Sequence, residues 1–217
     1  MKKRILGKST QGRDLECFVF ESENPNAKNF VLMGGFHGDE PEGVWVVEHF
    51  LNSEMAKEFK EANLYVIPQV NPDGVAASTR VNANGVDLNR NFPTVDWNAE
   101  AREAKYNPGA KALSEIEAQI MHDFILEVRP ILFISCHCYI PQVNVNGDCK
   151  EASVYLSEKT KYPVTRDVGY TTPGCFGQWV LEAIGTPSIT LEIEERMGKK
   201  LAVEKFPQHF VETFRRF

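Results

Sequence analysis

Apolar runs rich in β-branched and aromatic residues alternate along this chain with segments of helical periodicity. LECFVFE (15–21) and NFVLMGG (29–35) predict strands, with ESENPNAKN between them as a hairpin-like turn. Pro41 opens a helical stretch running to about Lys60, because proline suits the first helical turn. NLYVIPQV (63–70) predicts another strand, and NPDG (71–74) a turn. From 75 to 111 the sequence is polar, rich in Asn and without periodicity. A loop of that length inside a compact domain is more often functional than idle.

LSEIEAQIMHDFILEV (113–128) predicts a helix, with Ser114 and Glu117 as a capping box. ILFISCH (131–137) is apolar until its last residue, as a buried central strand should be. SVYLS (153–157) predicts a weaker strand, GQWVLEAIG (177–185) a short helix and PSITLEIEE (187–195) a strand. The tail from about Lys199 is an amphipathic helix interrupted at Pro207. The alternation points to a single α/β domain over residues 1–217, a sandwich whose mixed, mostly parallel central sheet is flanked by helices.

Composition narrows the partners. A formal net charge of −6 argues against general attraction to nucleic-acid phosphates. No stretch approaches the roughly 18 apolar residues of a membrane helix, and MKKRILGKST lacks the apolar segment of an export signal. The five cysteines (Cys17, Cys136, Cys138, Cys149, Cys175) are odd in number with no framework spacing. Free thiols and a cytoplasmic location are therefore expected.

The candidate chemistry gathers where apolar runs end. His37 and Glu40 follow the 29–35 strand, His137 ends the 131–137 strand, and Glu192 lies in the last one. Open α/β sheets collect sites at the carboxyl ends of their strands. Two histidines and a glutamate with one open position form a catalytic zinc pattern. H-x-x-E alone fits a helix start as well as a metal site, and a lone His137 fits a hydrogen-bonded core residue. Cys136 and Cys138 should face away from His137, since neighbours on a strand alternate sides, and read as small buried apolar side chains. The 71–93 loop carries Arg80, Asp87, Asn89 and Arg90. Arginine forks recognise carboxylates and stabilise developing oxyanions, although Arg90 could equally pair with any surface acid.

Taken in order, HGDE (37–40), NPDG (71–74), DLNRNFP (87–93), SCHCY (135–139) and TLE (190–192) make the chain resemble the zinc metallocarboxypeptidase family from about Gly34 to Glu195. The resemblance implies one zinc per chain, with His37, Glu40 and His137 as ligands and Asp87 accepting the other ring N–H of His37. It further implies that Arg80 polarises the scissile carbonyl, that Asn89 and Arg90 hold a free substrate carboxylate, that Tyr170 closes over it, and that Glu192 is the general base. Cys138 stands where the family usually has serine. The short chain, YNPGAKALSEIEAQ and TPGCFGQW look closest to a bacterial branch that acts on murein peptides, implying cleavage of a γ-D-glutamyl–meso-diaminopimelate amide. Three other readings compete with it: an ordinary carboxypeptidase, an N-acyl amino acid hydrolase of the aspartoacylase and succinylglutamate desuccinylase group, and a non-catalytic zinc-binding module.

Overall fold

The computed structural model describes residues 1–217. Eight strands form one mixed sheet: β1 (Lys2–Lys8), β2 (Asp14–Phe20), β3 (Asn29–Gly34), β4 (Asn63–Ile67), β5 (Leu132–Tyr139), β6 (Gln142–Asn146), β7 (Val164–Thr165) and β8 (Ser188–Glu194). Their order is β1-β2-β4-β3-β5-β8-β6-β7. The central β4, β3, β5 and β8 run parallel, so their carboxyl ends share one edge. Helices α1 (Pro41–Leu51), α2 (Glu54–Glu58), α3 (Pro72–Ala77), α4 (Ile116–Val128), α5 (Lys150–Thr160), α6 (Phe176–Ile184), α7 (Lys199–Lys205) and α8 (Phe210–Arg215) complete the fold. None is long and apolar enough to cross a membrane.

Strand alternation divides the core in two. Leu132, Ile134, Cys136 and Cys138 of β5, with Ile189, Leu191 and Ile193 of β8, pack in a larger cluster with Val46, Val47 and Phe50 of α1 and the phenylalanines of α8. Phe133 faces the other way, into a second cluster with Met121 and Phe124 of α4 and Phe176 and Trp179 of α6. Each such fully buried Phe or Leu contributes roughly 1.5–3 kcal/mol by leaving water. The same alternation sends Ser135, His137, Thr190 and Glu192 to the α6 face at the carboxyl edge. In register, His137 lies opposite Glu192. The two cysteines do face away from His137, and all five cysteines are free.

Several expected elements are corrected. β2 and β3 are not a hairpin, because β4 lies between them. The helix from Pro41 breaks at Asn52–Ser53 into α1 and α2. NPDG is a helix start rather than a turn: Pro72 occupies its first turn and the Asn71 side chain accepts the Gly74 N–H at 2.8 Å. No capping box forms at α4, since the helix begins one residue after Glu115, and Glu117 instead accepts from the Thr10 amide and Asn82. Residues 153–157 belong to α5, where buried Ala152, Leu156 and Thr160 recur at a four-residue interval. A five-residue apolar run cannot by itself separate that pattern from a strand. β1 went unforeseen because its charged, exposed sequence carries no alternation, as befits an edge strand.

The loop after α3 is ordered by the asparagines that make it look featureless. Asn91 donates to Pro108 O at 2.7 Å, Asn107 donates to Gly85 O at 2.9 Å, and the Asp87 amide donates to Asn107 O at 2.8 Å. Backbone groups that no strand or helix satisfies are thereby paired.

Candidate active site

His37 sits on the turn leaving β3, held in place by a close backbone approach. A Cβ on Gly38 would lie 1.9 Å from the Gly74 carbonyl carbon, so only glycine lets this turn rest on α3. Glu40 precedes α1, whose own Gly43 packs against the Cys136 carbonyl of β5. That contact brings the H-x-x-E turn beside the end of β5, where His137 stands with Phe36 stacked on its ring at 5.6 Å.

Three side chains converge there, all buried. His37 Nδ1 lies 2.7 Å from Glu40 Oε1, and His137 Nδ1 lies 3.0 Å from Glu40 Oε2 and 3.3 Å from His37 Nδ1. The Cys138 amide donates to Glu40 Oε2 at 3.1 Å and fixes the carboxylate. His37 Nε2 meets Asp87 Oδ1 at 3.0 Å. Carboxylates only accept, so without metal both ring nitrogens donate. A metal at the cluster would displace the Nδ1 proton and leave the ring held by Nε2–H on Asp87.

Burial opposes charge on His37, but Glu40 and Asp87 outweigh it and raise its pKa to about 9. Burial likewise opposes ionisation of Glu40, yet His37 and His137 hold its carboxyl well below the usual range. His137 is lowered by burial despite Glu40. Asp87, fully buried, is held below its ordinary value by His37 and Arg80. Positive charge is therefore favoured at the point where the three donors meet. Their candidate ligand atoms lie within 4.8 Å of one another. Two imidazoles and a carboxylate, with an acceptor fixing one tautomer, fit a catalytic zinc ion.

Around this cluster lies a cavity of about 850 Å³ lined by all the residues the sequence nominated except Asp87, which lies beneath its wall. Arg80 donates to Asp87 Oδ2 at 3.0 Å and to Glu40 Oε1 at 3.2 Å. Asn89 accepts the Phe176 amide at 2.9 Å, tying the start of α6 to this loop. Arg90 is buried, donates to Asn89 O at 2.6 Å and makes no ion pair with a carboxylate. A guanidinium in that state is ready for an incoming carboxylate. Tyr170 lies half-buried with its ring 6.0 Å from the Arg90 guanidinium carbon.

Glu192 is a buried carboxyl that pairs with no cation. Burial, then the charge on Glu40, raises its pKa to about 8, and its Oε2 has no hydrogen-bond partner. Two features were not foreseen. Ser135, whose buried hydroxyl is also unpartnered, forms with Asn144, Asn146, Gln178 and Thr190 an uncharged polar wall. Tyr106 lies beside both arginines. Tyr106 and Ser135 stand at the head of stretches that carry the resemblance, YNPGAKALSEIEAQ and SCHCY, but neither was given a role there.

Comparison with known proteins gives the family. Residues 1–161 match the family described as zinc carboxypeptidase. Murein peptide amidase A of Escherichia coli K12 is 31% identical over 184 residues, covering 80% of this chain and 74% of that protein. The Vibrio campbellii murein peptide amidase A is 32% identical over 216 residues, covering 94% of this chain and 84% of that protein. The crystal structure of murein-tripeptide amidase MpaA from Escherichia coli O157 superposes with a TM-score of 0.82 at 28% identity, covering 99% of this chain and 92% of that one. The chain belongs to the zinc carboxypeptidase family and is a zinc metallopeptidase.

Proposed function

We propose that this zinc carboxypeptidase hydrolyses the γ-D-glutamyl–meso-diaminopimelate amide of murein peptides, with a free carboxylate beside the cleaved bond. The observation that carries this reading is the likeness to murein peptide amidases over nearly the whole chain. The cavity supports it. Buried Arg90 makes no direct ion pair, which suits a substrate carboxylate, and Ser135, Asn144 and Gln178 suit a leaving group with a polar side chain. A diaminopimelate side chain ends in an amine and a carboxylate, both of which need hydrogen-bond partners.

His37, Glu40 and His137 would hold the zinc, which when bound supplies a Lewis acid to polarise the amide carbonyl and acidify water. Asp87 orients His37 through Nε2 and Arg80 through its Nε–H, so one carboxylate sets two groups. Arg80 turns its guanidinium toward the cluster, placed to stabilise the negative charge that grows on the amide oxygen. Arg90 and the side-chain NH₂ of Asn89 grip the substrate's carboxylate, and Tyr170 covers it. Burial raises the Glu192 pKa to about 8 without metal, and the charge of bound zinc would favour its ionised form. That form takes a proton from the attacking water and passes it to the leaving amine.

The test compares L-Ala-γ-D-Glu-meso-diaminopimelate with its lysine analogue, with ordinary α-linked dipeptides and with carboxamide-capped forms, followed by mass analysis of the released amine. Cleavage of the diaminopimelate amide, abolished by chelation and restored by zinc, is expected. Faster turnover of ordinary peptides would make the protein a general carboxypeptidase. His37→Ala and His137→Ala should each strip the metal, and full zinc content in both would overturn the ligand set.

A further inference from the structure

Arg80 and Arg90 share a neighbour that the proposed mechanism does not use. The guanidinium carbon of Arg80 lies 5.0 Å from the Tyr106 ring centroid, and that of Arg90 lies 5.7 Å from it. Both fall within the roughly 6 Å reach of a cation–π interaction. The two cations differ at their edges. Arg80 has Asp87 and Glu40, whereas Arg90 has one backbone carbonyl and no carboxylate. A buried cation so poorly partnered is costly, and a second cation in the same wall adds repulsion. Aromatic faces offset that cost while leaving the N–H edges free, which a carboxylate partner would not do.

Of the two rings near Arg90, Tyr106 is the better anchored. It ends the short turn Ala104–Tyr106, and the next residue, Asn107, accepts the Asp87 amide through its carbonyl and donates its side chain to Gly85 O. Tyr106 is therefore tied, through Asn107, to the backbone that carries Asp87 and Arg90. Tyr170 comes from the separate 166–172 stretch and packs on Tyr106 at 6.1 Å and on Tyr139 at 5.9 Å.

We propose that Tyr106 is a positioning residue for the hydrolysis. Its ring holds both guanidiniums, keeping the Arg90 edge open to the substrate carboxylate and the Arg80 edge turned toward the reacting carbonyl. This rests on the roles given above to Arg80 and Arg90. The ring matters, not the hydroxyl, so Tyr106→Phe should act almost as the parent and Tyr106→Leu should not.

The experiment uses the zinc-loaded protein and two readouts. In kinetics, Tyr106→Leu should lose roughly 5- to 30-fold in kcat/KM on a free-carboxylate peptide, the effect of removing one or two cation–π contacts. The loss should divide between a raised KM and a lowered kcat. On the carboxamide-capped peptide the KM part should vanish, and in an Arg90→Ala background the effect of Tyr106→Leu should shrink. In nitrogen-15 NMR, the Nε–H signals of Arg80 and Arg90 should stay in place in Tyr106→Phe and move, with faster exchange, in Tyr106→Leu. Equal losses in the Phe and Leu variants would overturn the proposal. So would unchanged arginine signals, or a loss identical on acid and carboxamide and undiminished by Arg90→Ala. If Arg90→Ala itself fails to separate acid from carboxamide, the carboxylate role of Arg90 falls, and the NMR signals alone decide whether Tyr106 holds the two cations.

Discussion

Replacing Glu192 by glutamine should abolish turnover and make the metal-free protein more stable. The carboxyl is 8% exposed and pairs with no cation, and its Oε2 lacks a hydrogen-bond partner. Burial first, and the charge of Glu40 second, move its pKa from the ordinary 4.5 to about 8. Below the lower value both folded and unfolded chains are protonated, and the group is neutral in its effect. Between the two values the unfolded chain ionises while the folded one keeps its proton, so folding is disfavoured as pH rises. The slope is about 1.4 kcal/mol per pH unit, or roughly 3 kcal/mol by pH 7.

Glutamine has the same size and does not titrate. Melting of chelated protein at pH 7 should therefore be higher by ~6–12 °C in Glu192→Gln, at 2–4 °C per kcal/mol for a chain of this size. Near pH 4.5 the two should converge. Loading zinc places positive charge beside Glu192 and favours its ionised form, so the difference should narrow in the metal-bound proteins. Zinc content should stay the same while turnover falls by at least the ~10²–10⁴ typical of general acid–base catalysis. Equal melting at pH 7 would refute the picture of an uncompensated buried acid. Loss of zinc would make Glu192 a ligand, and near-normal turnover would move the base elsewhere, with exposed Glu194 next on the same strand face.

Asp87→Asn keeps an acceptor for His37 but removes the charge shared with Arg80, and zinc affinity measured by competition with a chelator should weaken about 10- to 100-fold. Gly38→Ala forces a methyl into the backbone of Gly74. It should cost at least the ~1–3 kcal/mol of an overpacked site, read by denaturant unfolding, and weaken zinc binding as His37 shifts. All five thiols should react once the protein is unfolded without reductant, whereas in the native state half-exposed Cys175 should react first. Burial raises Cys17 and Cys149 to about 12 and lifts Cys136 and Cys138 as well, so quick native labelling of those four would contradict the packing.

The central sheet was legible because its strands carry the strongest periodic signals, and the placement of His37, Glu40 and His137 at strand ends followed from it. Errors fell where local sequence is ambiguous. SVYLS holds strand-forming residues, yet its burial follows the helical interval of Ala152, Leu156 and Thr160. NPDG carries turn chemistry that also caps a helix. β1 is visible only once β2 is there to pair with it. The wall of Ser135, Asn144, Thr190 and Gln178 was hidden for a different reason: three strands and a helix distant in sequence supply it, and no local pattern marks such a meeting.

The crowding of polar residues at 87–90 now has a physical account. A single turn of 3-10 helix over Leu88–Arg90 points consecutive side chains in different directions. Leu88 goes down into the cluster beneath the sheet edge and anchors the turn. Asp87 reaches inward to His37 and Arg80, so one carboxylate orients both side chains. Asn89 receives the Phe176 amide and ties α6, with its share of the polar wall, to the same turn. Arg90 is left facing the cavity with its edge unspent. On the roles proposed above, shifting this turn would disturb His37, Arg80, Arg90 and the start of α6 together, because each is tied to it. Substitutions here should therefore be strongly non-additive, since they remove parts of one constellation. Double variants of Asp87 and Arg90 that instead showed fully additive losses would mean that the two act independently.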